Sequence, residues 1–180
     1  MLPLTVRRAT HDDSALIIAL VTSAYRGDAS REGWTTEADL IEGERIDAQL
    51  LAQDIRRPDS VVLLAERGPE LIGCAHVART EPGRAYFGMF AVRPTGQNRG
   101  DGSALLAAAE AFTVTEWSTR LLTMTVLDAR VELLAFYERR DYRRTGRYEP
   151  FPYGDTRFGV PHRADLRLEV LEKAVGGHPT

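Results

Sequence analysis

A chain of 180 residues with 43% hydrophobic content buries roughly 70% of the surface that its unfolded form exposes. This argues for one compact domain over residues 1–180 and excludes a disordered tail protein. Charged residues are 27% of the chain and balance to a formal net charge of −3, so no global basic field exists to gather nucleic acid or an anionic membrane surface.

Leu4 to Ala9 alternates apolar and polar residues, which predicts a strand at a sheet edge or with one wet face. Thr10 with Asp13 three residues later is a capping-box signal, and Ile17, Leu20, Val21 and Ala24 recur at helical spacing, so a helix should run to about Tyr25 or Arg26. Residues 27–44, GDASREGWTTEADLIEGE, are polar and place glycines on both sides of one Trp, which reads as a loop with at most a helical turn. Loops of this length in compact domains are commonly functional. A second helix over 46–56 must stop before Pro58.

The period then changes. Runs at 60–66, 71–78 and 85–92 are apolar, of strand length, and separated by Gly68-Pro69 and Pro82-Gly83, as in an antiparallel meander. A glycine-rich turn follows, then a helix over 103–116, a strand over 121–126, a helix over 131–140 and a strand over 142–147, an alternation that requires a parallel pair. Residues 165–172, DLRLEVLE, alternate cleanly and give a last strand. The expected fold is α/β, a single mixed, mostly antiparallel sheet with helices on both faces.

Cys74 lies in the run LIGCAHVA, outside any Cys/His ligand cluster, and as the one cysteine it can form no internal disulfide. No metal site is expected. With neither a signal-like N-terminus nor an apolar run approaching the roughly 18 residues of a membrane span, the chain is expected to be cytoplasmic and without a membrane partner.

The segment MFAVRPTGQNRGDGSALLAAAE is the most informative. A strand ends at Val92, Pro94 stops its ladder, and Gln97-Asn98-Arg99-Gly100-Asp101-Gly102 leads directly into an Ala- and Leu-rich helix. Such a turn leaves unpaired backbone N–H groups converging at the positive end of a helix dipole, a site suited to phosphate. Gly100 and Gly102 allow an anion to approach without a Cβ in the way. Taken alone, a glycine at a helix entrance is commonplace; the turn lacks the GK[ST] of a nucleotide phosphate loop and the third glycine of GxGxxG, and it follows the fourth strand where a dinucleotide fingerprint follows the first.

From Tyr86 to Tyr142 the chain resembles the GNAT superfamily of N-acetyltransferases: a strand, a [Q/R]xxGx[G/A] turn (here Gln97 to Gly102) opening a helix, a strand (LLTMTV), and a helix carrying a tyrosine (LLAFYERRDY). The order of elements agrees with that fold along the rest of the chain. The resemblance implies that acetyl-CoA is the cosubstrate, with its pyrophosphate on the amides of Gln97, Asn98, Arg99, Gly100, Asp101 and Gly102 and with the Ser103 hydroxyl beside them. It implies pantetheine pairing along Phe90, Ala91 and Val92, with the Phe90 amide as oxyanion donor. Tyr137 matches the family tyrosine that protonates the leaving thiolate; a phenol with reference pKa about 10 is protonated at neutral pH, as that role requires. Arg130 stands where many members have Asn beside the cofactor arm, Leu133 where they have Ala, and Asp141 where they have Gly at the helix end, where an Asp can still adopt the left-handed conformation.

Other readings of these residues stay open. Phe136 and Tyr137 also suit an apolar core, and the arginines from Arg139 to Arg147 suit a solvated face. Trp34 is either a lid over an acceptor site or a core plug, while Glu37 and Arg45 are either acceptor ligands or solvated loop charges. His76 reads as a satisfied strand histidine. No acid or histidine lies between Tyr86 and Val92, so the general base is Glu37, His76 or a relayed water. The expected activity is transfer of acetyl from acetyl-CoA to a primary amine of a small molecule or peptide, without nucleic acid as partner and with homodimerisation open. The competing readings are a non-catalytic acyl-CoA-binding sensor and a nucleotide-binding regulator.

Overall fold

The structure, a computed structural model, describes residues 2–26, 37–43, 45–94 and 100–177. Strand β1 (Leu4–Arg8) leads through a 3-10 turn into helix α1 (Ser14–Tyr25). The turn is held by the predicted cap: the Asp13 carboxylate accepts from the Thr10 amide at 2.8 Å and pairs with Arg7 of β1. The Arg7 hydrogen bond holds the Asp13 carboxyl well below the usual carboxylate range. Helix α1 buries Ile17, Leu20, Val21 and Ala24, the stripe read from the sequence.

A two-residue strand β2 (Ile41–Glu42) precedes α2 (Ala48–Arg56). Helix α2 begins at Ala48, not Ile46, because Asp47 caps it, accepting from the Gln49 and Leu50 amides at 2.9 Å. The meander follows as predicted: β3 (Ser60–Arg67), β4 (Glu70–Glu81) and β5 (Arg84–Val92), each antiparallel to the next. Then come α3 (Asp101–Trp117), β6 (Leu121–Leu127), α4 (Val131–Glu138), β7 (Arg143–Pro150), a two-residue strand β8 (Val160–Pro161) and β9 (Arg167–Ala174). Asp141 sits in the left-handed region at φ 66°. The chain there reverses onto α4, with the Tyr142 amide donating to the Tyr137 carbonyl at 3.2 Å.

The seven-stranded sheet has the order β1-β3-β4-β5-β6-β9-β7, and β2 pairs separately with β8. Strand β1 is an edge, as its alternation implied. On one face α3 and α4 pack against Ala75, Val77, Phe87, Leu122 and Met124; on the other α1 and α2 pack against Val62, Leu64 and Cys74. Strand β4 is therefore covered on both sides, which is why it reads as a continuous apolar run. The β2–β8 ribbon was invisible in the sequence because two residues carry no periodicity.

The one parallel pair among the described residues, β5 with β6, extends only from Arg84 to Tyr86 opposite Leu121 to Thr123. Beyond Tyr86 the strands diverge. The cause lies in β5: Cys74 faces Ala91 but His76 faces Gly88, so one extra residue is inserted, and Met89 takes a positive φ of 45°. A bulge of this kind bends its strand and increases its twist.

Candidate active site

The divergence opens a cavity of about 240 Å³ at the middle of the sheet. Phe87, Phe90, Leu133 and Tyr137 line it from the α3–α4 side, and Tyr25, Arg26, Glu37 and Arg45 from the α1–α2 side, so it passes through the sheet between the separated strands. Tyr86 and Thr125 join hydroxyls across its narrow end at 2.9 Å. Among the described residues, Phe87 to Ala91 have no strand partner on the β6 side, leaving an edge that a ligand can complete.

Tyr137 is 4% exposed. Its ring is wedged among Phe87, Phe90, Phe136 and Tyr142, with centroids 5.3–6.5 Å away. Its hydroxyl has no hydrogen-bond partner among the described residues, and burial holds its pKa well above the ordinary phenol value. A phenol so placed is both core ring and protonated donor, so the two readings of Tyr137 are compatible.

Across the cavity, Tyr25 donates its hydroxyl to the Phe90 carbonyl. Its ring carries two guanidinium groups, Arg45 at 4.8 Å and Arg130 at 5.2 Å from the centroid. Both belong to a cluster centred on Glu37, whose carboxylate meets Arg26, Arg130 (3.0 Å) and Arg45 (3.4 Å). Glu37, Arg26 and Arg130 are buried. Burial alone would raise the Glu37 pKa, but the fields of Arg45, Arg130 and Arg26 outweigh it and hold the carboxyl below its usual value. Desolvation lowers the pKa of Arg26.

The structure thus brings Phe90, Tyr137, Glu37, Arg45 and Arg130 onto one cavity, with Arg130 on the side of Glu37. His76 also lines it. Its Nε2 lies 2.7 Å from the Ser60 hydroxyl and 3.7 Å from Asp54. Burial lowers its pKa against the opposing field of Asp54, so the imidazole is neutral at pH 7. Ala91 and Val92 are buried on β5 beside the cavity.

Gly100, Asp101, Gly102 and Ser103 form the entrance of α3, outside the cavity lining. Gly100 caps the helix at φ 83°, and a Cβ there would meet no atom within 4 Å; at Gly102 it would lie 3.4 Å from the Phe90 ring. The Asp101 carboxylate turns inward to Arg67 at 2.7 Å, leaving only its backbone for a ligand. The Ser103 hydroxyl accepts from Arg140, whose guanidinium stacks 3.6 Å over Phe136; the hydroxyl keeps its own proton to donate. Trp34, Gln97, Asn98 and Arg99 lie outside the described residues.

Sequence reasoning missed Tyr25, Arg26 and Arg140 as members of this neighbourhood. Tyr25 and Arg26 occupy the last turn of a helix whose stripe gave no reason to separate them from core and cap. Arg140 was grouped with a solvated run; the arginines of that run on β7 are exposed as expected, with Arg144 and Arg147 also pairing with Glu169 and Glu172 of β9. Among the described residues no helix is long and apolar enough to cross a membrane, and no group of His, Cys, Asp and Glu could hold a metal ion.

A family model described as "Acetyltransferase (GNAT) family" matches residues 21–142. Comparison with curated proteins gave no match. Among solved structures, similar chains include a GNAT-family protein from Desulfovibrio desulfuricans (19% identity, 97% of this chain and 100% of that one, TM-score 0.70) and the ribosomal-protein-S18-alanine N-acetyltransferase of Escherichia coli (13%, 98% and 97%, 0.71). The spermidine/spermine N-acetyltransferase of Vibrio cholerae is a third (15%, 95% and 92%, 0.65).

Proposed function

Given that the chain belongs to the acetyltransferase (GNAT) family, which implies acyl transfer from an acyl-CoA to an amine, we propose that it acetylates a primary amine from acetyl-CoA by direct attack in a ternary complex. The observation that carries this reading is the unpaired edge of β5 beside a cavity through the sheet, with the Tyr137 phenol inside it and the glycine entrance of α3 next to it. These features fit acetyl-CoA. The β5 edge offers backbone groups to a pantetheine arm, and the amides at Gly100 to Gly102, with Ser103 and Arg140 alongside, offer donors to its phosphates.

Bound acetyl-CoA supplies an activated acyl group. The reaction forms a C–N bond and breaks a C–S bond, so one proton must leave the amine and one must reach the departing thiolate. Tyr137 is placed to give the second: burial keeps its phenol protonated at neutral pH, and its proton moves to the sulfur as negative charge develops there on C–S cleavage. Glu37 is poorly suited to take the first, because its carboxylate is occupied by guanidiniums that hold it ionised. His76 is neutral, lines the cavity and is steadied by Ser60, and we assign it the base role, directly or through water. Cys74, with burial pushing its thiol up to about 12, is inert and fits a reducing, cytoplasmic setting.

Calorimetry with acetyl-CoA, followed by thiol release with a panel of amines, tests the reading. Micromolar to low-millimolar binding and acceptor-dependent thiol release are expected. Failure to bind acetyl-CoA would overturn it, and binding without thiol release from any amine would favour an acyl-CoA-binding sensor.

A further inference from the structure

The side chain of Tyr86, the last residue of β5 to pair with β6, crosses the gap where the two strands begin to part. Its hydroxyl is joined to that of Thr125 on β6 at 2.9 Å, and both residues line the cavity. Gly88 makes room for the ring: a Cβ there would lie 2.8 Å from the Tyr86 Cε1 and 3.6 Å from its Cδ1 and Cζ, so any larger residue would press on the ring in its present place. Ring, hydroxyl pair and absent side chain together form a crossbar over the apex of the split. Tyr86 and Thr125 are only half-buried, so the crossbar faces the cavity and is not part of the sealed core.

We propose that Tyr86, latched to Thr125, is the end wall of the acyl site, so that the enzyme takes acetyl and rejects butyryl and longer groups. The inference rests on the acyltransferase reading above. The α3 entrance that suits the phosphates follows Val92 in the chain, and the unpaired edge of β5 runs back from Ala91 to Phe87. A pantetheine arm laid along that edge, with its thioester at the Phe90 amide, directs the acyl group toward Gly88 and the ring that lies across it. A ring held at the backbone on one strand and at its hydroxyl on the other does not swing aside without breaking the hydroxyl pair. The rest of the cavity lies toward Tyr25 and Glu37, on the path left for the amine, so a longer chain gains room there only by displacing the acceptor.

The test follows thiol release from acetyl-, propionyl-, butyryl- and hexanoyl-CoA with one amine from the acceptor panel. A methylene that a pocket excludes costs about ten- to two-hundred-fold, so kcat/KM for butyryl-CoA should lie at least about a hundred-fold below that for acetyl-CoA in the wild type. Added methylenes ordinarily strengthen binding to an apolar cavity, so this preference has the opposite sign from the hydrophobic effect and cannot come from it. Tyr86→Ala removes the wall and should bring butyryl-CoA to within about ten-fold of acetyl-CoA. Tyr86→Phe keeps the ring and loses the latch, as does Thr125→Ala from the other side; both should fall between and match each other. A tyrosine that only packs would lower Tm and depress every donor alike, so the ratio between donors, and not the rate with any one of them, carries the result.

Equal use of butyryl- and acetyl-CoA by the wild type overturns the inference, as does a Tyr86→Ala effect that is the same for every donor or that follows the size of the amine and not the length of the acyl chain. If Tyr86→Ala does not fold, Tyr86→Phe and Thr125→Ala decide by the same ratio. If no amine in the panel is accepted, calorimetric titrations decide: Tyr86→Ala should strengthen butyryl-CoA relative to acetyl-CoA by about ten-fold or more, and an equal change in both removes the end wall. If neither CoA nor acetyl-CoA binds the wild type, the acyltransferase reading itself fails and the end wall with it, whereas binding of both without discrimination by chain length sinks the end wall alone.

Discussion

Glu37→Gln is the perturbation that the structure makes most quantitative. The amide has nearly the shape of the carboxylate and can still accept a hydrogen bond, so what it removes is the negative charge at the centre of Arg26, Arg45 and Arg130. Arg26 and Arg130 are buried and Arg45 is partly solvated, so two of the three cations lose this ion pair where water cannot replace it. Removing one partner of a buried ion pair costs about 3–5 kcal/mol, which for a chain of this length lowers Tm by roughly 6–20 °C. Thermal unfolding by circular dichroism measures it. The pH dependence has a definite sign: the folded pKa of Glu37 lies below its unfolded value, so the stabilisation is fully present above the unfolded value and is lost as pH falls through the folded one. The gap in Tm between wild type and variant should be widest near neutral pH and begin to narrow only as pH falls below about 4, the unfolded value. A gap under about 2 °C at pH 7, or one that widens on acidification, would refute the claim that Glu37 compensates a desolvated cationic cluster.

Tyr137→Phe should lower turnover by about ten- to a thousand-fold, around the range of general acid catalysis, with calorimetric acetyl-CoA affinity retained because the ring still fills its aromatic site. His76→Ala should lower kcat by about a hundred-fold or more; in the wild type, burial places the imidazole pKa below its ordinary value, so the acidic limb of the pH–rate profile should lie below about pH 6.5 and vanish in the variant. Gly100→Val should weaken acetyl-CoA binding at least ten-fold at a cost in stability of about 1–2 kcal/mol, since φ 83° disfavours a side chain but a Cβ there meets no protein atom; unchanged affinity in isothermal titration would remove the phosphate assignment. Gly102→Val is the poorer probe, because the larger side chain would press on Phe90 and Val92.

The elements of the fold were legible because each carried its own local signal: the Thr10–Asp13 cap, the α1 stripe, the apolar run of a strand covered on both faces, and the glycine turn opening α3. Asp141 was legible too, since an Asp at a helix end tolerates the left-handed conformation that the reversal of chain onto α4 demands. What the sequence could not show was everything made by distant parts meeting. Glu37 and Arg130 are 93 residues apart, and nothing in their neighbours separates them from solvated charges. Arg144 and Arg147 are exposed on β7, as expected, but their pairing with Glu169 and Glu172 could not be read, because those residues lie on a strand that inserts between β6 and β7. The acidic and basic members of a buried network have no sequence period, so only the fold can assemble them.

The position of the site follows from a failure of pairing, not from any one residue. A parallel pair held in register along its whole length would close the sheet between β5 and β6 and leave the helices on one face no access to the other. Here the extra residue at Met89 bends β5 away after Tyr86, at a conformational cost of the order of 1–2 kcal/mol for a non-glycine residue at positive φ. That bend exposes backbone groups on β5 to one ligand, and it connects two differently built faces. Tyr137 and its aromatic neighbours make the α3–α4 side apolar and able to keep a phenol protonated; the arginines around Glu37 make the α1–α2 side cationic. The proposed reaction between a thioester and an amine fits this division, because the departing thiolate requires a proton donor and the incoming amine must be held apart from it. Restoring the flat strand would therefore remove the route between the two faces even if every side chain named here were retained.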